Sequence, residues 1–298
     1  MNKKYRKPLI AGNWKMNMLP SEAKPFAEEL HTLLPKAKTC DIAICPPFVI
    51  IHALRKALEA GHKVVIATGR AMASAVKQNL QLGLTSPGCY IIAYNGGMIL
   101  DSHTGQIIFQ KLLPGDLALQ IMQLGREQNV HIQTYDEDGV VLESWAVNEK
   151  LEHYCNGSKL PYRVAEDLAE ELKRDVPKVL AIDLHDRKPM EALSEAVIQK
   201  FGQQVDCYFS CAEYLEIVPK GVNKGNAITW MCRKLGIDIA DSIACGDADN
   251  DLAMIRTAGI GVAMANGTDE AKTAANYITE HDNNHDGIAE VVEKFLLS

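Results

Sequence analysis

Short runs of consecutive apolar residues alternate along this chain with longer stretches whose apolar positions recur every three or four residues. Leu9–Ala11, Ile42–Cys45, Lys63–Ala67 and Tyr90–Ala93 are of the first kind, each ending in a turn or a polar loop. Such runs predict buried parallel strands, because a strand covered on both faces loses the polar alternation of a half-exposed one. Ser21–Leu34 and Phe48–Ala60 are of the second kind and predict helices, with Pro20-Ser21-Glu22 as a start for the first and Gly61 as a stop for the second. The rhythm changes after about Leu100. Val130–Tyr135 and Val140–Glu143 flank Asp136-Glu137-Asp138-Gly139, a hairpin signal. Helical stretches follow at Ala165–Lys173 and Met190–Phe201, and strands at Val179–Ile182 and Val205–Ser210. After Val222 strand–helix alternation returns, with a helix to Leu235, a strand Ser242–Gly246, a helix Leu252–Ala258, a strand Ile260–Ala263 and a last helix from about Gly287. The pattern predicts an α/β fold: a discontinuous parallel-sheet core, 1–98 and 218–298, with an α+β block inserted over 99–217.

Composition narrows the function classes. With 298 residues, 47% of them hydrophobic, the chain can bury one large core or two modest ones. A net charge of −7 argues against a broad nucleic-acid or anionic-membrane surface, and 6% aromatics leaves few base-stacking platforms. The opening MNKKYRKPLIAGNWK carries only a four-residue apolar run, too short for a secretory leader, and no stretch approaches the ~20 apolar residues of a membrane span. The expectation is a soluble, cytoplasmic protein with neither nucleic acid nor membrane as partner. The eight cysteines form no C-x-x-C pair, and Cys207 and Cys211 lack the further ligands of a zinc site. They are expected as small buried hydrophobes in a reducing compartment.

Three segments carry candidate chemistry. GDADND, Gly246 to Asp251, follows the apolar strand Ser242–Cys245, so its carboxylates fall at a strand's carboxyl end, where open α/β sheets bind ligands. Oxygen ligands at this charge density suit a hard cation, Mg²⁺ above all; the plainer alternative is a solvated acidic loop in which Asp249 or Asn250 caps the next helix. VVIATGR, Val64 to Arg70, places the Thr68 hydroxyl and the backbone of Gly69 and Arg70 at another strand end, where they can meet a phosphate oxygen. GVNKGNAI, Gly221 to Ile228, sets Lys224 at the start of a helix, where an ammonium can neutralise a phosphoryl group.

In this order the three segments resemble the haloacid dehalogenase superfamily, in its Cof-like branch with a large inserted cap. The resemblance runs from about Leu54 to the C-terminus and implies a Rossmann-like core with an α+β cap. It also implies a Mg²⁺-dependent phosphatase acting on a small phosphorylated metabolite. By motif, Thr68 and Lys224 would be catalytic, Asp247 and Asp251 metal ligands, and Gly69, Arg70 and Asn250 substrate contacts. YNGG, Tyr94 to Gly97, falls where that branch crosses into its cap. In the family an aspartate attacks phosphorus, Mg²⁺ and a lysine hold the oxygens, and a second aspartate protonates the leaving group. That pair should stand as D-x-D-G-T after an N-terminal strand, and this chain has no such motif. Asp136 with Asp138 and Asp183 with Asp186 both fall inside the expected cap.

What stands there is RKPLIAGNWKMN, Arg6 to Asn17, followed by SEAKPFAEELHTLLP and DIAICPPF. To about residue 53 this resembles the opening of triosephosphate isomerase, and the resemblance implies substrate contacts by Asn13 and Lys15. Nothing after residue 54 resembles the later strands of that enzyme, which carry its glutamate and histidine, so isomerase activity is not expected. The chain reads as a chimera or recombinant of the two families. Pattern would lay Leu9–Ala11 in the first core-strand slot, with Asn13 and Lys15 at the two aspartate positions. Connectivity favours Ile42–Cys45, because it directly precedes the helix leading to Thr68. Either choice leaves an impaired or inactive phosphatase, or a phosphate- and Mg²⁺-binding scaffold. Substrate identity and oligomeric state stay open.

Overall fold

The computed structural model describes residues 9–13, 41–45 and 49–296, with side chains from Ala53 to Leu296. The expected helix Ser21–Leu34 and the candidate contact Lys15 lie outside the described residues. The chain divides into two compact units, Met1–His62 with Thr279–Ser298, and Lys63–Ile278.

In the smaller unit, β1 (Leu9–Asn13) and β2 (Asp41–Cys45) pair in parallel, with Leu9 opposite Asp41 and Asn13 opposite Cys45. Both expected strands therefore form, each slightly longer than its apolar run. Helix α1 (Val49–Glu59) ends at Gly61 as the sequence suggested. Its alanines Ala53 and Ala57 pack on Ala289 and Val292 of the terminal helix Gly287–Phe295, with Leu54 and Leu296 at the margin.

The larger unit opens with β3 (Val64–Ala67), α2 (Met72–Gln81), β4 (Cys89–Ala93), β5 (Met98–Asp101) and β6 (Ile107–Gln110). The four strands form one sheet in that order, β3 and β4 parallel and the rest antiparallel. Next come α3 (Gly115–Glu127), β7 (His131–Tyr135), β8 (Val140–Leu142), α4 (Glu149–Ser158), β9 (Tyr162–Val164), α5 (Leu168–Glu171), β10 (Val179–Ile182), α6 (Lys188–Phe201), β11 (Val205–Cys211) and β12 (Tyr214–Pro219). Their strands make a six-stranded mixed sheet ordered β11-β12-β10-β7-β8-β9. The predicted turn joins β7 to β8: Asp136 Oδ1 accepts from the N–H groups of Asp138 and Gly139, both at 2.9 Å.

This sheet is covered on both faces, which explains the unbroken apolar run of β10. Val179 and Ala181 meet α3 and α6 through Leu117, Ile121, Met190 and Val197, while Leu180 and Ile182 share a second core with Ile91, Ala93 and Tyr94. The helix expected over Ala165–Lys173 shrinks to the single turn of α5, capped by Asp167, whose carboxylate accepts from Ala169 and Glu170 N–H.

The chain then returns through α7 (Lys224–Leu235), β13 (Ile243–Gly246), α8 (Leu252–Thr257), β14 (Ile260–Ala263), α9 (Asp269–Ala274), β15 (Tyr277–Ile278) and α10 (Gly287–Phe295). β13, β14 and β15 form a parallel sheet in that order. Among the described residues β3 and β13 are therefore edge strands, and Ala67 at the end of β3 packs with Ala244 of β13, Met254 and Ile228. No described helix is long and apolar enough to cross a membrane.

Candidate functional site

Thr68, Lys224 and the Asp247–Asp251 loop, far apart in sequence, are joined by hydrogen bonds at the carboxyl ends of β3 and β13. Thr68 follows β3 directly, and its N–H donates to the Ile92 carbonyl at 2.8 Å, continuing the ladder with β4. The Thr68 carbonyl accepts from Asn95 N–H at 3.0 Å, and the Arg70 carbonyl accepts from Tyr94 N–H at 3.0 Å. Tyr94 and Asn95 both take positive φ, 50° and 57°, a conformation sparsely used by side-chain-bearing residues. The bend turns the Asn95 side chain over Gly69, where an added Cβ would stand 2.8 Å from Oδ1 and 2.9 Å from Nδ2, so a larger residue there would push the Asn95 amide aside.

Asn95 Oδ1 accepts in turn from Asn250 Nδ2 at 3.3 Å. One residue on, Asp251 is 5% exposed and takes Lys224 Nζ on Oδ1 at 2.5 Å. Its Oδ2 accepts from the N–H groups of Asp247 and Ala248, at 3.0 and 3.2 Å, which folds the loop back on itself. That closure needs Gly246, because a Cβ there would stand 2.3 Å from Asp251 Cβ. Lys224 is the first residue of α7, also 5% exposed, and Asn223 caps the helix by accepting from Asn226 N–H at 2.8 Å. The ammonium and carboxylate are thus withdrawn from water and matched charge for charge, the condition under which buried ions are tolerated.

The arrangement brings together an ammonium and a hydroxyl, groups that suit an anionic oxygen, and carboxylates, which suit a cation. Thr68 Oγ1 accepts from Arg70 N–H at 3.2 Å, which leaves its own hydrogen available to a ligand. Arg70 is exposed, and its guanidinium donates to the Gly157 carbonyl at 3.4 Å. Asp247 and Asp251 bracket one turn, a donor set of oxygens only. Mg²⁺ is commonly held by one or two carboxylates with water and phosphate completing the shell, and this donor set is of that type, although both Asp251 oxygens here already accept from Lys224 and from the Asp247 and Ala248 amides. Among the described residues no group of three or more His, Cys, Asp or Glu side chains gathers around a common point.

Of the sequence candidates, Thr68, Gly69, Arg70, Lys224, Asp247, Asn250 and Asp251 all fall in this region. Asn13 ends β1 in the other unit. Asn95 was passed over in the sequence, although its place in YNGG between two sheet strands was a visible signal. Lys178 and Glu216 were missed as well. They form a buried pair at 2.6 Å, and Lys178 Nζ also reaches the Gly69 carbonyl at 3.1 Å. A lone glutamate inside the apolar run YLEIVP was the clue. The expectation of small buried cysteines holds only in part among the described residues: Cys89 and Cys232 are buried, Cys155, Cys207 and Cys245 half-buried and Cys211 exposed. Burial pushes the Cys245 thiol up to about 12 and is the largest cause raising Cys207 and Cys211 to about 11.

The α/β fold thus gathers a lysine, a hydroxyl and paired carboxylates at adjoining strand ends. The haloacid dehalogenase-like hydrolase model matches residues 47–292, and the chain belongs to that family. A triosephosphate isomerase model matches residues 8–76, so residues 47–76 are covered by both. A Streptococcus pyogenes relative is 33% identical over 251 residues, 84% of this chain and 91% of its own. The pyridoxal phosphate phosphatase of Escherichia coli is 29% identical over 264 residues, 83% of this chain and 91% of its own. The crystal structure of a haloacid dehalogenase-like hydrolase from Bacteroides thetaiotaomicron superposes with a TM-score of 0.74 at 25% identity, covering 98% of this chain and all of that one.

Proposed function

We propose that this chain binds the phosphate group of a small phosphorylated metabolite together with Mg²⁺, at a haloacid-dehalogenase-type site whose hydrolytic power is impaired because its nucleophilic aspartate is missing. The observation that carries this reading is the bonded series Thr68–Asn95–Asn250 and Asp251–Lys224, which holds phosphate- and cation-binding groups ready while no aspartate precedes it in the right place. Asp41 is the only aspartate ahead of Thr68. It begins β2, and the strand's ligand-binding end at Cys45 lies four residues further, roughly 13 Å at the rise of an extended chain. In this reading residues 99–217 are the cap, residues 1–98 and 218–298 the core, and residues 6–53 a triosephosphate-isomerase-like replacement for the family's first strand. The E. coli relative, named for pyridoxal phosphate, indicates the size and chemistry of the substrate class.

Each residue has a definable task. Lys224, held by Asp251 at the head of α7, sets a positive charge beside the phosphoryl oxygens. Thr68 donates its hydroxyl hydrogen to one of them, and Gly69 leaves room for that approach. Asp247 and Asp251 would hold the Mg²⁺, which when bound neutralises phosphate charge and orients the ester. Asn250 steadies the Asn95 bend. These contacts lower the energy of a bound phosphate without supplying the attacking group, so binding survives where turnover does not.

A non-catalytic binding protein is the second reading, favoured by the position of Asp41 in β2. Calorimetric titration of the full chain with inorganic phosphate, with and without Mg²⁺, tests both readings. Binding that strengthens with Mg²⁺ and is lost in Asp247→Asn is expected, and the absence of any phosphate binding would sink them.

A further inference from the structure

Lys178 and Glu216 are among the most deeply buried charged residues described, 1% and 3% exposed, and the site as assigned above makes no use of them. Lys178 stands just before β10 and Glu216 in the middle of β12, its antiparallel neighbour. Glu216 Oε2 accepts from the ammonium at 2.6 Å, and Oε1 accepts from Ser210 Oγ at 2.9 Å. The ammonium also lies 5.2 Å from the ring centroid of Tyr135. A buried ion pair is weak ground for stability, since apolar side chains of the same volume commonly serve as well. Its placement points to a positional task.

The remaining bond of the ammonium goes to the Gly69 carbonyl at 3.1 Å. That carbonyl and the N–H of Arg70 are the two ends of one planar peptide group. The Arg70 N–H donates to Thr68 Oγ1 at 3.2 Å. A cation on the carbonyl end holds the plane in place and polarises the amide, which strengthens the bond at its other end. With Oγ1 committed as an acceptor there, the hydroxyl hydrogen of Thr68 is directed to another partner. We propose that Lys178, held by Glu216 and Ser210, is a positioning residue that fixes the Gly69–Arg70 peptide and so aims the Thr68 hydroxyl at the phosphate of a bound monoester. The six-stranded sheet thereby helps complete the phosphate site without touching the ligand. The inference rests on the phosphate-binding reading above and deepens it.

The test is calorimetric titration of the full chain with inorganic phosphate at saturating Mg²⁺, beside thermal unfolding. In Lys178→Met/Glu216→Leu the pair is replaced by apolar side chains of similar size. Affinity about tenfold weaker at an unchanged melting temperature is expected, about the worth of one well-made hydrogen bond. Wild-type affinity in that variant would overturn the proposal, because a structural pair leaves phosphate binding intact once packing is restored. Lys178→Gln provides a second test that does not depend on the double variant folding. It is expected to weaken phosphate several-fold in the wild-type background and to have no further effect in Thr68→Val. Equal losses in both backgrounds would show that Lys178 acts independently of the hydroxyl and overturn the proposal. A wild-type chain that binds no phosphate overturns the underlying reading, an outcome distinct from binding that ignores Lys178.

Discussion

The two compact units of this chain differ in what they contribute to phosphate chemistry. In the larger unit, strand ends from distant parts of the sequence deliver Thr68, Asn95, Lys224 and Asp251 into one hydrogen-bonded group, backed by cores of leucine, isoleucine, valine and tyrosine. In the smaller unit side chains are described only from Ala53 on, and its one aspartate ahead of Thr68 stands at the amino end of a strand. Holding a phosphate and attacking it are separable tasks. In the function proposed above, the first falls to the loops that follow β3 and β13 and precede α7. The second depends on a single strand, and a strand can be exchanged for another parallel strand without disturbing those loops.

The largest expected effect lies in the larger unit. Asp251→Ala would leave the Lys224 ammonium buried without its partner, and urea unfolding is expected to show a loss of about 3–5 kcal/mol. A loss under 1 kcal/mol would mean that the pair is not a structural part of the loop. The smaller unit can be tested by gain of function. Cys45→Asp and Asn13→Asp each place a carboxylate at the carboxyl end of one of the paired strands, β2 and β1. One of the two is expected to raise Mg²⁺-dependent hydrolysis of an aryl phosphate about 100-fold over wild type, about 2.7 kcal/mol of barrier. If neither does, the missing group is not what limits turnover.

A third effect is pH-dependent. Burial raises the Asp183 carboxyl, but Lys150 at 2.5 Å and the N–H groups of Asp186 and His185 outweigh it and bring it from 3.8 down to about 2. Because the folded value is depressed, the stabilisation is present above pH 4 and is lost as pH falls from about 4 to about 2. Asp183→Asn should therefore cost about 2 kcal/mol at neutral pH and only a small remainder near pH 2, where the folded carboxyl is half ionised, read as urea midpoints across an acid series. A cost undiminished at pH 2 would point to packing instead. The smallest effect belongs to the smaller unit. Val292→Ala, at a position packed on Ala53, Ala57 and Ala289, should cost about 1 kcal/mol in urea unfolding, and a loss of several kcal/mol would mean that more than these alanines rests on it.

Much of the fold was legible from apolar patterning. The strand Ile260–Ala263, the hairpin at Asp136–Gly139 and the helix ending at Leu235 appear as expected, because each pairs a strong period with a strong stop signal. The helix predicted over Ala165–Lys173 is shorter than its period, because Asp167 caps it and it runs only from Leu168 to Glu171. The β5–β6 hairpin escaped because its turn, Ser102 to Gly105, follows strands of only four residues. The segments that bring Thr68, Lys224 and Asp247–Asp251 together stand out in the sequence because each is a compact motif at a strand or helix end. Asn95 lies in a left-handed bend whose one local trace is its place in YNGG, and the Lys178–Glu216 pair joins residues 38 apart, marked locally only by a glutamate inside an apolar run.

The most direct test of a phosphate site that has lost its attacking group is Mg²⁺-dependent turnover of a generic aryl phosphate by the wild-type chain, beside Asp247→Asn as the control for contaminating phosphatase. The account predicts no turnover above that control from a chain that still binds inorganic phosphate. Turnover that vanishes in Asp247→Asn would contradict it and would mean that the site hydrolyses esters without the family's aspartate.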